Sequence, residues 1–117
     1  MKTVYKLLTI NEWEIAQKNG FIQTDLDQKD GYVHLSTSRQ LPLTLKTYFD
    51  DENKIILLAI PYSKIKNSVK FENTGPYRKG EFPHLYKKLD ISIVEKNWVL
   101  EKKHFGLPQE ILIKNDS

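Results

Sequence analysis

The sequence predicts an α+β fold with a split, mainly antiparallel sheet and two helices towards the N-terminus. The element order carries this: strand, helix, strand, helix, and then mostly strands. A second observation is the unbroken apolar run "KIILLAI" (Lys54–Ile60), closed by Pro61, which marks a central strand covered on both faces. A third is period-two alternation around two histidines, in "GYVHLSTS" (Gly31–Ser38) and "FPHLY" (Phe82–Tyr86).

"TVYKLLT" (Thr3–Thr9) is rich in β-favouring residues and reads as the first strand. Thr9 then opens a T-x-x-E pattern ending at Glu12, a capping box for a first helix. Ile10, Trp13 and Ala16 follow at helical spacing, and Lys18 and Gly20 give a cation and a glycine stop. "FIQTDLDQKDG" reads as a polar connector ending in the turn signal Asp30-Gly31. After the strand at His34, Ser36 or Ser38 can cap a second helix that begins near Ser38 to Gln40, with Pro42 in its first turn. Leu41, Leu45, Tyr48 and Phe49 form its apolar stripe. "YSKI" makes a short turn and "VKFE" (Val69–Glu72) a strand. "NTGPYRKGEF" is an irregular loop, and "ISIVEKNWVL" (Ile91–Leu100) is the longest late strand. The reading is one domain over residues 1–103, then a tail at 104–117 in which "EILI" can add an edge strand.

With 117 residues, 39% of them hydrophobic and 28% charged, the chain can bury a single modest core. This balance excludes collagen-like, disordered and disulfide-scaffold classes. The absence of cysteine removes disulfides, iron–sulfur clusters and thiolate zinc sites, and it fits a reducing compartment. The N-terminal apolar run is too short for a secretory core or a membrane span, so the expectation is a soluble, cytoplasmic protein with no membrane partner. The net charge of +3 comes from scattered lysines, with only Arg39 and Arg78 as arginines. A small nucleotide or an RNA end suits that charge, whereas a broad DNA-duplex surface does not.

Read with period two, Tyr32, His34 and Ser36 share one face and Val33 and Leu35 the other. Alone, His34 would be a solvated strand residue and Ser36 a helix cap. The echo changes the balance, because Phe82, His84 and Tyr86 repeat the device, with Glu81 just before and Arg78 in the loop ahead. Arginine binds phosphate, tyrosine stacks on a base, glutamate accepts from a ribose hydroxyl, and histidine donates or shuttles a proton. "HLS" and "HLY" also bear a superficial likeness to the paired motifs of two-histidine phosphoesterases, with one histidine taking a proton and the other giving it. No metal site is expected, because His34, His84 and His104 are far apart without H-x-x-x-H spacing. No phosphate-loop or nucleophile-elbow motif occurs. His104 reads as solvated and Trp98 as core.

From Val4 to Leu100 the chain resembles the small, mostly bacterial family called domain of unknown function 952. The glycine–aromatic–aliphatic–His-x-Ser segment is matched by Gly31, Tyr32, Val33, His34 and Ser36, and the Phe-Pro-His–aliphatic–Tyr segment by Phe82 to Tyr86. Glu81 and Glu72 match two further acidic positions. The resemblance implies an ADP-ribosyltransferase-like fold, whose cleft holds NAD in catalytic members. On that basis Glu81 first, or Glu72, would stabilise an oxocarbenium-like ribose as a nucleophile attacks its C1′ carbon. His34 and His84 would carry protons or bind phosphate or ribose. Tyr32, Ser36, Arg78 and Tyr86 would line the ligand site. Lys6 is the ligand-binding candidate on the first strand, but it departs from the pattern, because a histidine is frequent there and commonly binds the NAD ribose. NAD would enter as substrate, with no resident cofactor. The rival from another class is a non-catalytic nucleotide-binding module, and a third reading is an RNA-end or cyclic-phosphate phosphoesterase.

Overall fold

The computed structural model describes residues 2–73, 80–101 and 111. Strand β1 (Thr3–Thr9) pairs antiparallel with β4 (Lys54–Pro61) along its whole length, from Thr3 opposite Pro61 to Thr9 opposite Ile55. On its other edge β4 pairs antiparallel with β8 (Lys96–Glu101). As the central strand, β4 is buried on both faces, which is why its sequence is apolar without alternation. Ile55, Leu57 and Ala59 pack with Tyr5, Leu41, Leu45 and Ile111 on one side. Ile56, Leu58 and Ile60 pack with Leu8, Ala16, Val33, Leu35 and Leu85 on the other.

Helix α1 (Ile10–Asn19) starts where expected. The Glu12 amide donates to Thr9 Oγ1 at 3.1 Å and the Thr9 amide donates to Glu12 Oε1 at 2.9 Å. Such a cap contributes about 1 kcal/mol. Gly20, at φ 82°, ends the helix in the left-handed conformation that glycine adopts without steric cost.

The segment read as a polar connector is instead two elements. Strand β2 (Phe21–Ile22) pairs with β7 (Leu89–Asp90), and helix α2 (Asp25–Asp30) follows. A second reciprocal box makes this short helix: the Asp27 amide donates to Thr24 Oγ1 and the Thr24 amide to Asp27 Oδ2. Gly31 therefore closes a helix, its N–H donating to the Asp27 carbonyl. Among the described residues up to 101 there are thus three α-helices rather than two. The third is α3 (Leu41–Tyr48), entered through a 3₁₀ turn at Ser38–Gln40. Its start is as expected, but neither serine caps it. Thr37 is the N-cap of the 3₁₀ turn, its amide donating to Gln40 Oε1 at 3.0 Å, and Ser36 Oγ lies 3.0 Å from Thr44 Oγ1. Leu41 and Leu45 are buried, whereas Tyr48 of the expected stripe is exposed.

The other sheet has the order β3–β6–β5, built from β3 (Val33–His34), β6 (Phe82–Leu85) and β5 (Val69–Glu72), again antiparallel. The late strand is shorter than its sequence implied. Ile91–Ile93 form a 3₁₀ turn, because the Asp90 carboxylate accepts the Ser92 amide at 2.8 Å and bends the chain. The loop residues 74–79, including Arg78, lie outside the described residues, as do His104 and all of "EILI" except Ile111. Among the described residues no helix is long and apolar enough to cross a membrane.

Among the described residues, one isolated backbone bridge links the two larger sheets. The Tyr5 amide donates to the Ser36 carbonyl at 2.8 Å and the Ser36 amide to the Tyr5 carbonyl at 2.9 Å. One residue further along β1, the backbone hydrogen bonds give way to a side chain, as Lys6 Nζ donates to the His34 carbonyl at 3.0 Å. The sheet splits there, and the polar residues gather at the split.

Candidate functional site

Antiparallel register sets His34 directly opposite His84. Because side chains alternate across a strand, this pairing puts both imidazoles on one face while Val33 and Leu85 enter the core. The rings are 5.7 Å apart between centroids, in an edge-on arrangement. Tyr32 joins them, stacked on His84 at 4.0 Å and tilted against His34 at 4.6 Å. Tyr86 follows at 5.4 Å from Tyr32. The period-two reading of both histidine segments therefore holds in three dimensions.

Each histidine is held by carboxylates. His34 Nδ1 lies 2.7 Å from Asp27 Oδ1, and its Nε2 lies 2.9 Å from Asp30 Oδ2. A neutral ring can donate to only one of them, whereas a protonated ring donates to both. His84, wholly buried, has Nδ1 2.8 Å from Glu72 Oε1. The same oxygen accepts from Tyr86 Oη at 2.6 Å. The hydrogen bond from Tyr86, and then that from His84, lower the Glu72 carboxyl below its usual value. In return Glu72 pushes the Tyr86 phenol up to about 12. An ionised Glu72 accepting at Nδ1 leaves the lone pair of a neutral His84 on Nε2. Replacement of Glu72 by glutamine should bring the Tyr86 phenol back towards 10 in a residue-resolved NMR titration. An unchanged midpoint would remove Glu72 as the cause.

Asp27 was not among the sequence candidates, yet it is the hub. Oδ1 accepts from Lys6 Nζ at 2.9 Å and from the His34 amide at 3.0 Å and lies 2.7 Å from His34 Nδ1, while Oδ2 accepts from the Thr24 amide at 3.0 Å. Burial by itself would push this carboxyl up. The hydrogen bond from His34, the Lys6 ammonium and the two amides outweigh it and hold Asp27 well below the usual carboxylate range. Lys6 shows the opposite balance, with burial lowering its ammonium against the pull of Asp27. The only sequence sign of Asp27 was local: Thr24-x-x-Asp27 ahead of Gly31 is a capping pattern too short to show an apolar stripe.

Beside this cluster lies a cavity of about 220 Å³. Its polar lining includes Lys6, Glu12, Asp27, His34, Ser36 and His84, while the exposed Leu26 and Tyr48 line it towards solvent. Of the sequence candidates, the fold brings Lys6, Tyr32, His34, Ser36, Glu72, His84 and Tyr86 together here. Lys6 is not free to reach a ligand, being buried in its pair with Asp27. Glu81 is exposed and outside the cavity lining, its backbone carbonyl accepting from Gln40 Nε2 at 2.7 Å. Among the described residues no three or more histidine and carboxylate groups are arranged to hold a metal ion.

Residues 7–97 match the family model described as protein of unknown function, DUF952. The chain belongs to this DUF952 family. The fold is shared with the X-ray crystal structure of protein CC0527 from Caulobacter crescentus. That likeness has a TM-score of 0.81 and 28% identity, over 94% of this chain and 98% of that one. The solution NMR structure of CC0527 gives a TM-score of 0.75 and 32% identity, over 93% of both chains. No curated protein matches the chain significantly. The α+β arrangement of antiparallel sheets is therefore common to this chain and an experimentally determined relative. The DUF952 description brings no activity with it, so the chemistry is argued from the site.

Proposed function

We propose that the cleft at the split between the sheets binds NAD or a related nucleotide, in the manner implied by an ADP-ribosyltransferase-like fold. The supporting observation is the wall of two cross-strand histidines, each held by a carboxylate and sharing the ring of Tyr32. Imidazole and phenol rings offer stacking surface to a base or a nicotinamide, and ring N–H groups and the Ser36–Thr44 hydroxyls suit ribose oxygens. A cavity of about 220 Å³ is smaller than the roughly 300–1,000 Å³ usual for drug-sized ligands, so it suits one ring and its sugar. Asp30, exposed at the outer edge of His34, is the partner a ligand would displace to reach Nε2.

The binding-module reading has a specific observation in its favour. Transfer of ADP-ribose needs a carboxylate beside the ribose, and Glu81 is exposed and outside the cavity lining, while Glu12, which does line it, is taken up in accepting from the Thr9 amide. Glu72 is already engaged by Tyr86 and His84, and Asp27 by Lys6 and His34. Binding therefore fits this site more directly than turnover.

Thermal-shift measurements with NAD, ADP-ribose and a 2′-phosphorylated nucleotide test the proposal. A ligand at a hundred times its Kd stabilises by about 2.7 kcal/mol, a rise of roughly 10 °C for a chain of this size. A rise with NAD and no release of nicotinamide supports the binding module, and release supports the transferase. A rise only with the phosphorylated nucleotide would transfer the site to two-histidine phosphate chemistry. No rise with any of them would overturn the nucleotide reading.

A further inference from the structure

A second cavity, of about 440 Å³, borders the histidine cluster. Phe21, Gln23, Tyr32, Tyr86, Lys87 and Lys88 contribute to its walls. Asp27 lines both cavities. Tyr32 stands between them: it lines the second, while its ring stacks on His84, which lines the first. One aromatic side chain thus partitions two adjoining spaces.

The chemistry of the second space differs from that of the first. Its polar charge is cationic, from Lys87 and Lys88, because the carboxylate of Asp27 is already neutralised by Lys6. Lys88 Nζ sits 4.1 Å above the centre of the Phe21 ring, and Lys70 Nζ lies 5.1 Å from that of Tyr86. An ammonium resting on a π face is held more weakly than one hydrogen-bonded to an anion, so Lys88 can turn to a phosphate with little loss. Phe21, Tyr32 and Tyr86 offer ring faces, and Gln23 offers an amide with donor and acceptor. Aromatic faces interleaved with lysines are the elements used to hold a phosphorylated base.

We propose that this second cavity is a subsite for a nucleoside monophosphate, with the base against the aromatic rings and the phosphate on Lys87 and Lys88. This rests on the nucleotide reading of the histidine cleft and extends it. The larger space takes the adenosine-phosphate half of a dinucleotide, the smaller one takes the other half, and Tyr32 packs between them.

Isothermal titration of the full chain with AMP and with NAD tests this, using the variants Lys87→Glu/Lys88→Glu and His34→Ala. Both lysines are at the surface, so the double variant should keep its fold, checked by circular dichroism. The expected result is that AMP binds, and that the lysine variant loses about tenfold or more in affinity for both ligands. His34→Ala should weaken NAD while leaving AMP unchanged. AMP binding that survives the lysine variant overturns the subsite, as does NAD binding without any AMP binding, which leaves the histidine cleft standing. Lysine-dependent AMP binding with NAD affinity untouched by His34→Ala overturns the histidine cleft and keeps the subsite. Silence with both ligands overturns both.

Discussion

Replacement of Asp27 by alanine is expected to destabilise the protein by about 3–5 kcal/mol, a large share of the 5–15 kcal/mol typical of a small domain. The change does not merely delete an ion pair. It leaves the Lys6 ammonium buried without its counter-charge and removes the acceptor of the Thr24 and His34 amides. It also abolishes the box that starts α2 and positions His34. Lys6→Met should cost much less, because methionine fills the space and Asp27 keeps its bonds from His34 and the two amides. Urea unfolding of both variants measures the difference. A loss below about 1 kcal/mol for Asp27→Ala would mean that water or a rearranged Lys6 replaces the carboxylate.

The same residue sets an acid limb. Its folded pKa lies below the roughly 3.9 of an aspartate in the unfolded chain, so between those two values the unfolded state binds more protons. The stability contributed by Asp27 is thus fully present above pH ~4 and is lost as pH falls towards the folded value. Unfolding free energies measured from pH 6 to pH 2 should fall less steeply in Asp27→Asn than in the wild type.

Replacement of His34 by alanine should separate binding from folding. Its ring is partly exposed, and its removal leaves Asp27 with Lys6 and two backbone amides. The expected stability loss is about 1–2 kcal/mol, seen as a modest drop in Tm. The affinity for NAD should fall about 10- to 100-fold, because a charge-assisted hydrogen bond and one edge of the ring wall are lost together. Wild-type affinity in this variant, with a lowered Tm, would make His34 a structural residue that braces α2 against the sheet.

Much of the frame was legible locally. The Thr9–Glu12 box, the Gly20 stop and the bilateral burial of Ile55–Ile60 each follow from a few neighbouring residues. The site was half legible. Alternation put His34 and Tyr32 on one face, and His84 and Tyr86 on another, without showing that the two faces are the same one. Helix α2 escaped because six residues cannot display an apolar stripe, and its caps use the same residue types as a turn. Glu81 was favoured because it stands next to the second histidine segment in sequence, but its side chain is exposed and outside the cavity lining.

Strand alternation, the start and stop of α1 and the equivalent places of two histidines in two short strands can all be read from neighbouring residues. These are properties of segments under about ten residues, set by sterics, caps and periodicity. Only the tertiary structure decided that His34 faces His84, that Glu72 holds one ring and Asp27 the other, and that Lys6 is spent inside the protein. The partners in these contacts are 7 to 50 residues apart, and register between strands is chosen by burying Val33, Leu35 and Leu85 together rather than by any local preference.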